Sequence, residues 1–277
     1  MLERWYVDWQ ELEHARLFDG RHRLSKRDLA RNYRSFNDVR LLEERLDRTR
    51  SLKFLEVGCA TGEFYRYLRT QYPQIGYYGV DVSRPAVARA KEKYPKGNFF
   101  VTDPGLPVAD NLRMLGIPAS PDIVYAKDVL HHQTDPHAFL LQLLTIASGA
   151  VILRTRTRDI GQTVADPELS CQYHYKGWMP YIVLNLQELI KSVQTQAPRC
   201  ELIIYRNHMI LGGWENRFLP KECYLPETGT AETAMGVFLE TENPGRVHVE
   251  DRKDQDLVYS SGYRFKNLIC RALRQIQ

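Results

Sequence analysis

Apolar and polar positions along the chain repeat with two different periods. Between residues 26 and 50, Leu29, Tyr33, Phe36, Val39, Leu42 and Leu46 recur at three- and four-residue steps, which predicts helix with one buried face. The stretch before it is charged and aromatic, with Trp5 and Trp9 also at helical spacing. At Leu52 the character changes. Residues 53–57 are a short apolar run ending in Gly58-Cys59-Ala60-Thr61-Gly62, which reads as a strand and a tight loop. A helix follows over 63–72, then a strand over 77–82. Ser83 can cap the next helix, with Pro85 in its first turn, and that helix runs to Tyr94. Further strands are expected at 98–101, 122–126 and 150–155, with a helix over 135–147 between the last two. After Arg158 the pattern lapses for about 25 residues. It resumes with a helix over 186–194 capped by Asn185, a strand at 201–205 and a last strand at 234–240. Strands alternating with helices at this spacing predict βαβ units, hence an α/β, doubly wound, mostly parallel sheet of seven strands with helices on both faces.

Composition narrows the class. The 277 residues are 43% hydrophobic and 26% charged, which excludes a disordered chain. The length suits one α/β domain over 51–243, a helical N-terminal cap over 1–50, an insertion at 158–184 and a C-terminal extension over 244–277. Thirty-eight Lys and Arg against 34 Asp and Glu leave +4, enough to permit anionic partners but short of a dedicated nucleic-acid binder. Five cysteines, none in a C-x-x-C pair, fit a reducing compartment. The N-terminus carries charge at once and shows no apolar signal region, and the longest uncharged run, 138–153, is too short for a membrane span. The expected location is cytoplasmic. At the other end, Phe265, Leu268, Ile269, Ala272, Leu273 and Ile276 share one helix face among Arg264, Lys266, Arg271 and Arg274. Residues 264–276 therefore suit either peripheral contact with an anionic membrane or packing on the domain.

The informative block is residues 55–62 (LEVGCATG), followed 19 residues after Gly62 by Asp81 at a strand end. A glycine loop lets a ligand approach the backbone, and an acid on the next strand accepts from ribose hydroxyls. A dinucleotide fingerprint would place glycines at 58, 60 and 63, where this chain has Gly58, Ala60 and Glu63. A P-loop needs Gly-Lys-Ser/Thr, but Gly62 is followed by Glu63. Acids at 56 and 63 suit a cationic adenosine ligand better than a pyrophosphate.

These residues resemble the first motif of the class I S-adenosylmethionine-dependent methyltransferases. Residues 78–83 (YGVDVS) resemble their second motif and 122–132 (DIVYAKDVLHH) their fourth. The resemblance covers 52–157 and, more weakly, 183–240, and it implies a Rossmann-like fold with S-adenosyl-L-methionine as cofactor. It further implies that Glu56, Gly58, Cys59, Ala60 and Gly62 form the methionine side of the cofactor site. Asp81 would take the ribose and Val82 would pack on the adenine. Thr102 and Asp103 would lie at the adenine amino group, with Asp103 the better acceptor, and Lys127 would lie close to the cofactor. Cys59 replaces the commoner glycine and narrows the loop. Tyr33 and Arg34 fall in a segment that often covers the cofactor carboxylate in such enzymes.

A base is required only if the acceptor is a hydroxyl or a protonated amine. Asp128, His131 and His132 are the local candidates, at the carboxyl edge where ligands bind. Asp128-x-x-His131-His132 also resembles the metal-holding arrangement of certain O-methyltransferases, in which His131 would favour zinc, iron or cobalt over magnesium. A structural role is the third reading. Arg154, Arg156 and Arg158 alternate on one face of a strand and suit either a polar, anionic acceptor or pairing with Asp159, Asp166 and Glu168. Tyr175 and Trp178, in the insertion, suit a substrate lid or an apolar plug. The activity these residues favour is methyl transfer to a hydroxyl of a small molecule or glycan. RNA methyl transfer and a non-catalytic cofactor-binding scaffold are the rival readings.

Overall fold

The computed structural model describes residues 8–11, 24–46, 49–174 and 176–255. Strand β1 (Lys53–Val57) sets the layering, because successive side chains point to opposite faces. Phe54 faces a core shared with helices α1 (Lys26–Arg34), α2 (Asn37–Glu43) and α3 (Glu63–Gln71). Leu55 and Val57 face a second core, built with α5 (Val108–Met114), α6 (Pro136–Ile146) and α7 (Leu186–Gln196). Helix α4 (Arg84–Lys93) adds Val87 and Ala90 to the first core. The sheet is thus buried on both sides, which is why its strands read as short, nearly continuous apolar runs.

The remaining strands of the sheet are β2 (Gly76–Asp81), β3 (Asn98–Val101), β4 (Ile123–Lys127), β5 (Ala150–Arg158), β8 (Leu184–Asn185), β9 (Glu201–His208), β11 (Ala231–Phe238) and β12 (Val247–Asp251). Their order is β12-β9-β11-β5-β4-β1-β2-β3, with β8 paired to β5. Strand β11 is antiparallel to both neighbours, and the other pairings are parallel. Strand order reverses between β1 and β4, so the ligand crevice lies above their carboxyl ends.

Local signals place most elements. Ser83 accepts from Ala86 N, Asp135 from Ala138 N and Asn185 from Glu188 N, each starting the helix that its side chain caps.

Four expectations are corrected. Among the described residues the main sheet has nine strands rather than seven, the additions being β8 and β12. Strand β12 lies at an exposed edge and is polar at His248, Glu250 and Asp251, so its apolar signal is weak. The single helical pattern of 26–50 is two helices. Ser35 Oγ donates to Asn32 O, and Phe36 is extended at φ −88°, ψ 138°, which ends one helix and starts the next. A short helix, α5, stands where none is read from the pattern. Finally, the insertion at 158–184 is not structureless: its β6 (Cys171–His174) and β7 (Gly177–Pro180) form a separate antiparallel sheet with β10 (Arg217–Phe218) from the later connection, in the order β10-β6-β7. No helix of the described residues is long and apolar enough to cross a membrane, and the amphipathic pattern at 264–276 lies outside them.

Candidate active site

The loop after β1 turns through left-handed backbone at Gly58 (φ 79°), Ala60 (φ 45°) and Gly62 (φ 75°). Glycine is needed for contact as well as for conformation. A Cβ on Gly58 would stand 2.4 Å from Val129 Cγ2, and one on Gly62 2.7 Å from Phe99 Cζ. The loop therefore seats directly against the segment after β4 and the edge of β3. Asp81, half-buried at the tip of β2, accepts from Ala60 N through Oδ2 (2.8 Å) and from Ser83 N through Oδ1 (2.9 Å). Val82 is half-buried beside it. Thr102 N donates to Asp81 O at 3.0 Å, which brings the 102–105 turn alongside. Asp103 is exposed there, and Asn111 braces its backbone by accepting from Asp103 N and donating to Asp103 O. These residues form one continuous rim along the carboxyl ends of β1, β2 and β3.

Three predicted cofactor residues turn their side chains elsewhere. Cys59 is buried in the first core. Glu56 is buried and accepts a hydrogen bond from the Tyr77 hydroxyl. Burial, opposed by that bond and reinforced by Asp81, pushes its pKa up to about 8. Lys127 Nζ lies 3.7 Å from Asp38 Oδ2 and 3.4 Å from the Phe36 ring centroid, beneath helix α2. Arg34 pairs with Glu43 and Tyr33 is buried, so both serve the packing of the cap.

Residues 150–158 show how one alternation serves core and site in turn. Ala150 and Ile152 fill the first core, and Arg154, Arg156 and Arg158 continue the same face past it. All three arginines are buried, but their partners are not the predicted Asp159, Asp166 and Glu168. Arg154 pairs with Glu232 and lies 3.7 Å from Asp254, whereas Arg156 pairs with Asp128 (2.9 Å) and Glu232 (2.8 Å). Arg158 reaches Glu222 at 3.7 Å. Glu232 and Asp254 carry no motif; the cross-strand register Glu232↔Arg156 is what brings the former in. Asp128 is left-handed at φ 57°, a conformation that is uncommon outside glycine and that collects at functional sites. Burial alone would raise its pKa, but Arg154, Arg156 and Lys127 hold it well below the usual carboxylate range.

A 3-10 turn over Leu130–His132 sends the two histidines different ways. His131 points inward at 1% exposure, and its Nδ1 is without a hydrogen-bond partner among the described residues. Burial, then repulsion from His132 and Arg156, holds its pKa well below the ordinary value. His132 is half-buried, and its Nδ1 lies 2.7 Å from Pro180 O. A carbonyl can only accept, so Nδ1 carries the proton and Nε2 keeps the lone pair. Burial, offset in part by that bond and by Asp128, pushes the His132 pKa down to about 4, so the ring is neutral near pH 7. Among the described residues no group of three or more His, Cys, Asp or Glu side chains is placed to hold a metal ion. Trp178 stands edge-on to Tyr173 at 5.6 Å on the small sheet, and Tyr175 lies outside the described residues.

The chain is similar over much of its length to known proteins. A family model described as a methyltransferase domain matches residues 9–198. No curated protein matches in sequence. Among solved structures, the chain is 13% identical to an O-methyltransferase from a trans-AT PKS multienzyme of Brevibacillus brevis in complex with S-adenosyl-L-homocysteine, with a TM-score of 0.54 over 86% of this chain and 84% of that one. It is 11% identical, with a TM-score of 0.51, to a Haemonchus contortus phosphoethanolamine N-methyltransferase, covering 85% of this chain and 61% of that one. Against the CurJ carbon methyltransferase the identity is 16% and the TM-score 0.47, and the match covers 77% of this chain but only 55% of that one. With the family match spanning more than half of its length, and with the sheet order and glycine loop in agreement, the chain belongs to the class I S-adenosyl-L-methionine-dependent methyltransferases.

Proposed function

We propose that the protein methylates a hydroxyl of a polar small molecule or glycan, with His132 as the general base. The rim fits S-adenosyl-L-methionine. Left-handed Gly58, Ala60 and Gly62 expose backbone to the methionine part, and half-buried Asp81 is placed for the ribose hydroxyls. Val82 would pack on the adenine, and exposed Asp103 would accept from its amine. When bound, the cofactor supplies a methyl group already activated on a sulfonium, so in-line placement provides much of the rate.

The observation that carries the acceptor class is the His132 Nδ1–H···O=C Pro180 bond. It leaves Nε2 as the acceptor atom of an imidazole at the carboxyl edge, able to take a hydroxyl proton. Asp128 is the weaker base of the two, because Arg154 and Arg156 lower the proton affinity of its carboxylate further than burial lowers that of the His132 imidazole. It serves instead as the counter-ion that orients Arg156. The fold relatives include both an O- and an N-methyltransferase, so the fold leaves the acceptor atom open and His132 supports oxygen. Arg154 and Arg156 are matched by Asp128, Glu232 and Asp254, which supports a polar acceptor over a strongly anionic one.

The test is incubation with methyl-labelled S-adenosyl-L-methionine and separated metabolite, glycan, RNA and protein fractions, alongside Asp81→Ala and His132→Gln. Label in metabolites or glycans that disappears with either variant is the expected result. Label in RNA or protein refutes the acceptor class. No label in any fraction, with cofactor still bound, refutes the enzymatic reading in favour of a scaffold.

A further inference from the structure

Residues 8–11 form a short strap whose two fixed points lie on opposite sides of the glycine loop. At one end Gln10 O accepts from Arg84 N at 2.9 Å, and Arg84 pairs with Glu11 at 2.6 Å. Arg84 is three residues beyond Asp81, at the end of β2. At the other end the Trp9 ring lies 5.3 Å from the His132 ring at 51°, on the segment after β4. Strand β1 runs between β2 and β4, so the strap bridges the carboxyl end of β1, where the cofactor rim lies.

The imidazole of His132 meets rings from three separate segments: Trp9 at 5.3 Å, His131 at 4.1 Å and Tyr181 at 6.1 Å. The segment bearing Tyr181 is itself fixed, since Ile182 N donates to His131 O at 2.8 Å and Arg156 Nε donates to the Tyr181 hydroxyl at 3.0 Å. One hydrogen bond, Nδ1–H to Pro180 O, leaves an imidazole free to pivot about that axis. Rings packed around it, two of them tilted and one edge-on, remove the pivot.

We propose that Trp9 is a positioning residue for His132: the strap presses its indole onto the imidazole, so that Nε2 stays aimed into the acceptor space. This rests on the reading of His132 as the base. The base is then assembled from three distant pieces of chain: the strap, the turn after β4 and the segment after β7. A second consequence concerns water. The indole packs beside the ring, with centroids 5.3 Å apart, and burial is the main reason that His132 remains uncharged. The charged or titratable groups facing it are Asp128 and His131 from its own loop, Arg156 from β5 and His174 from β6. The strap's own acids are engaged elsewhere, Asp8 with Gln10 N and Glu11 with Arg84.

The experiment is a 15N-histidine NMR titration of the full chain saturated with S-adenosyl-L-homocysteine, with the His132 signal assigned by its loss in His132→Gln. In the wild type, His132 should keep the Nδ1–H tautomer from pH 5 to 8 and protonate only below that window. Trp9→Ala should raise its midpoint by at least about one pH unit, toward the ordinary histidine value, and admit the other tautomer. Trp9→Phe should restore the wild-type behaviour, and bound S-adenosyl-L-homocysteine in each variant shows that the fold is intact. In the labelled-methyl assay, Trp9→Ala should lose more rate at pH 6 than at pH 8. An unchanged His132 titration and tautomer in Trp9→Ala, with transfer abolished by His132→Gln, overturns the proposal and leaves the base reading standing. Normal transfer by His132→Gln overturns the base reading, and the proposal with it.

Discussion

Replacing Asp128 by Asn tests the electrostatics of the site with little else disturbed. Asn matches Asp in shape and tolerates left-handed backbone equally well, so the φ of 57° adds no new strain. What is lost is one negative charge between two buried guanidinium groups, Arg156 at 2.9 Å and Arg154 at 3.8 Å. A hydrogen bond to a charged group contributes about 1.5–3 kcal/mol. The Asp128 side chain is 36% exposed, so solvent screening brings the expected loss down to about 1–2 kcal/mol. In a chain of this size that lowers Tm by roughly 2–6 °C. The sign with pH follows from the depressed pKa. Stability from Asp128 is fully present above the unfolded carboxylate pKa of about 3.9 and is lost as pH falls through the lower folded value. Thermal melts of both proteins between pH 3 and 8 should show a constant gap above about pH 5 that narrows only toward the acid end. A gap that opens between pH 5 and 8 would refute the reasoning, since it would mean that Asp128 titrates there and has the basicity denied to it above.

Glu56 should behave in the opposite sense. Its folded pKa of about 8 lies above the unfolded value, so its stabilising contribution, whole at low pH, is lost as pH rises toward 8; Glu56→Gln should therefore gain on the wild type by up to a few kcal/mol between pH 5 and 8 in urea titrations. Gly62→Ala adds a Cβ 2.7 Å from Phe99 and forces alanine to φ 75°, so denaturant curves should show a loss of about 2–4 kcal/mol. Asp81→Ala should weaken S-adenosyl-L-homocysteine binding by at least roughly tenfold in calorimetry, the cost of losing a charged acceptor; unaltered affinity would remove Asp81 from the cofactor site.

How much of this was legible in the chain varies by element. Strands β1 to β5 could be read because each is an apolar run closed by a polar or glycine signal, and the capping residues Ser83, Asp135 and Asn185 marked helix starts by local chemistry alone. The edge strand β12 was illegible because solvent on one side removes the need for an apolar run. The break at Ser35–Phe36 was hidden by a helical spacing that continues across it; Asn37 N donates to Asp254 and Asn37 Nδ2 to Arg252 O, contacts more than 200 residues apart in sequence. The arginine face of β5 was visible as an alternation, but nothing near it in sequence names Glu232, which cross-strand register alone supplies.

By itself the sequence determined the layer architecture, the glycine loop, Asp81 and the pair of histidines, because each depends on neighbours within about a dozen residues: side-chain period, capping and turn chemistry. Tertiary structure decided what each charged group is for. Whether Arg154 and Arg156 greet a ligand or an internal carboxylate, and which nitrogen of His132 keeps its lone pair, depends on Glu232 and Pro180, which lie 48 or more residues further along the chain. Ionisation and tautomer respond to distance and burial in space, and periodicity along the chain carries no record of either.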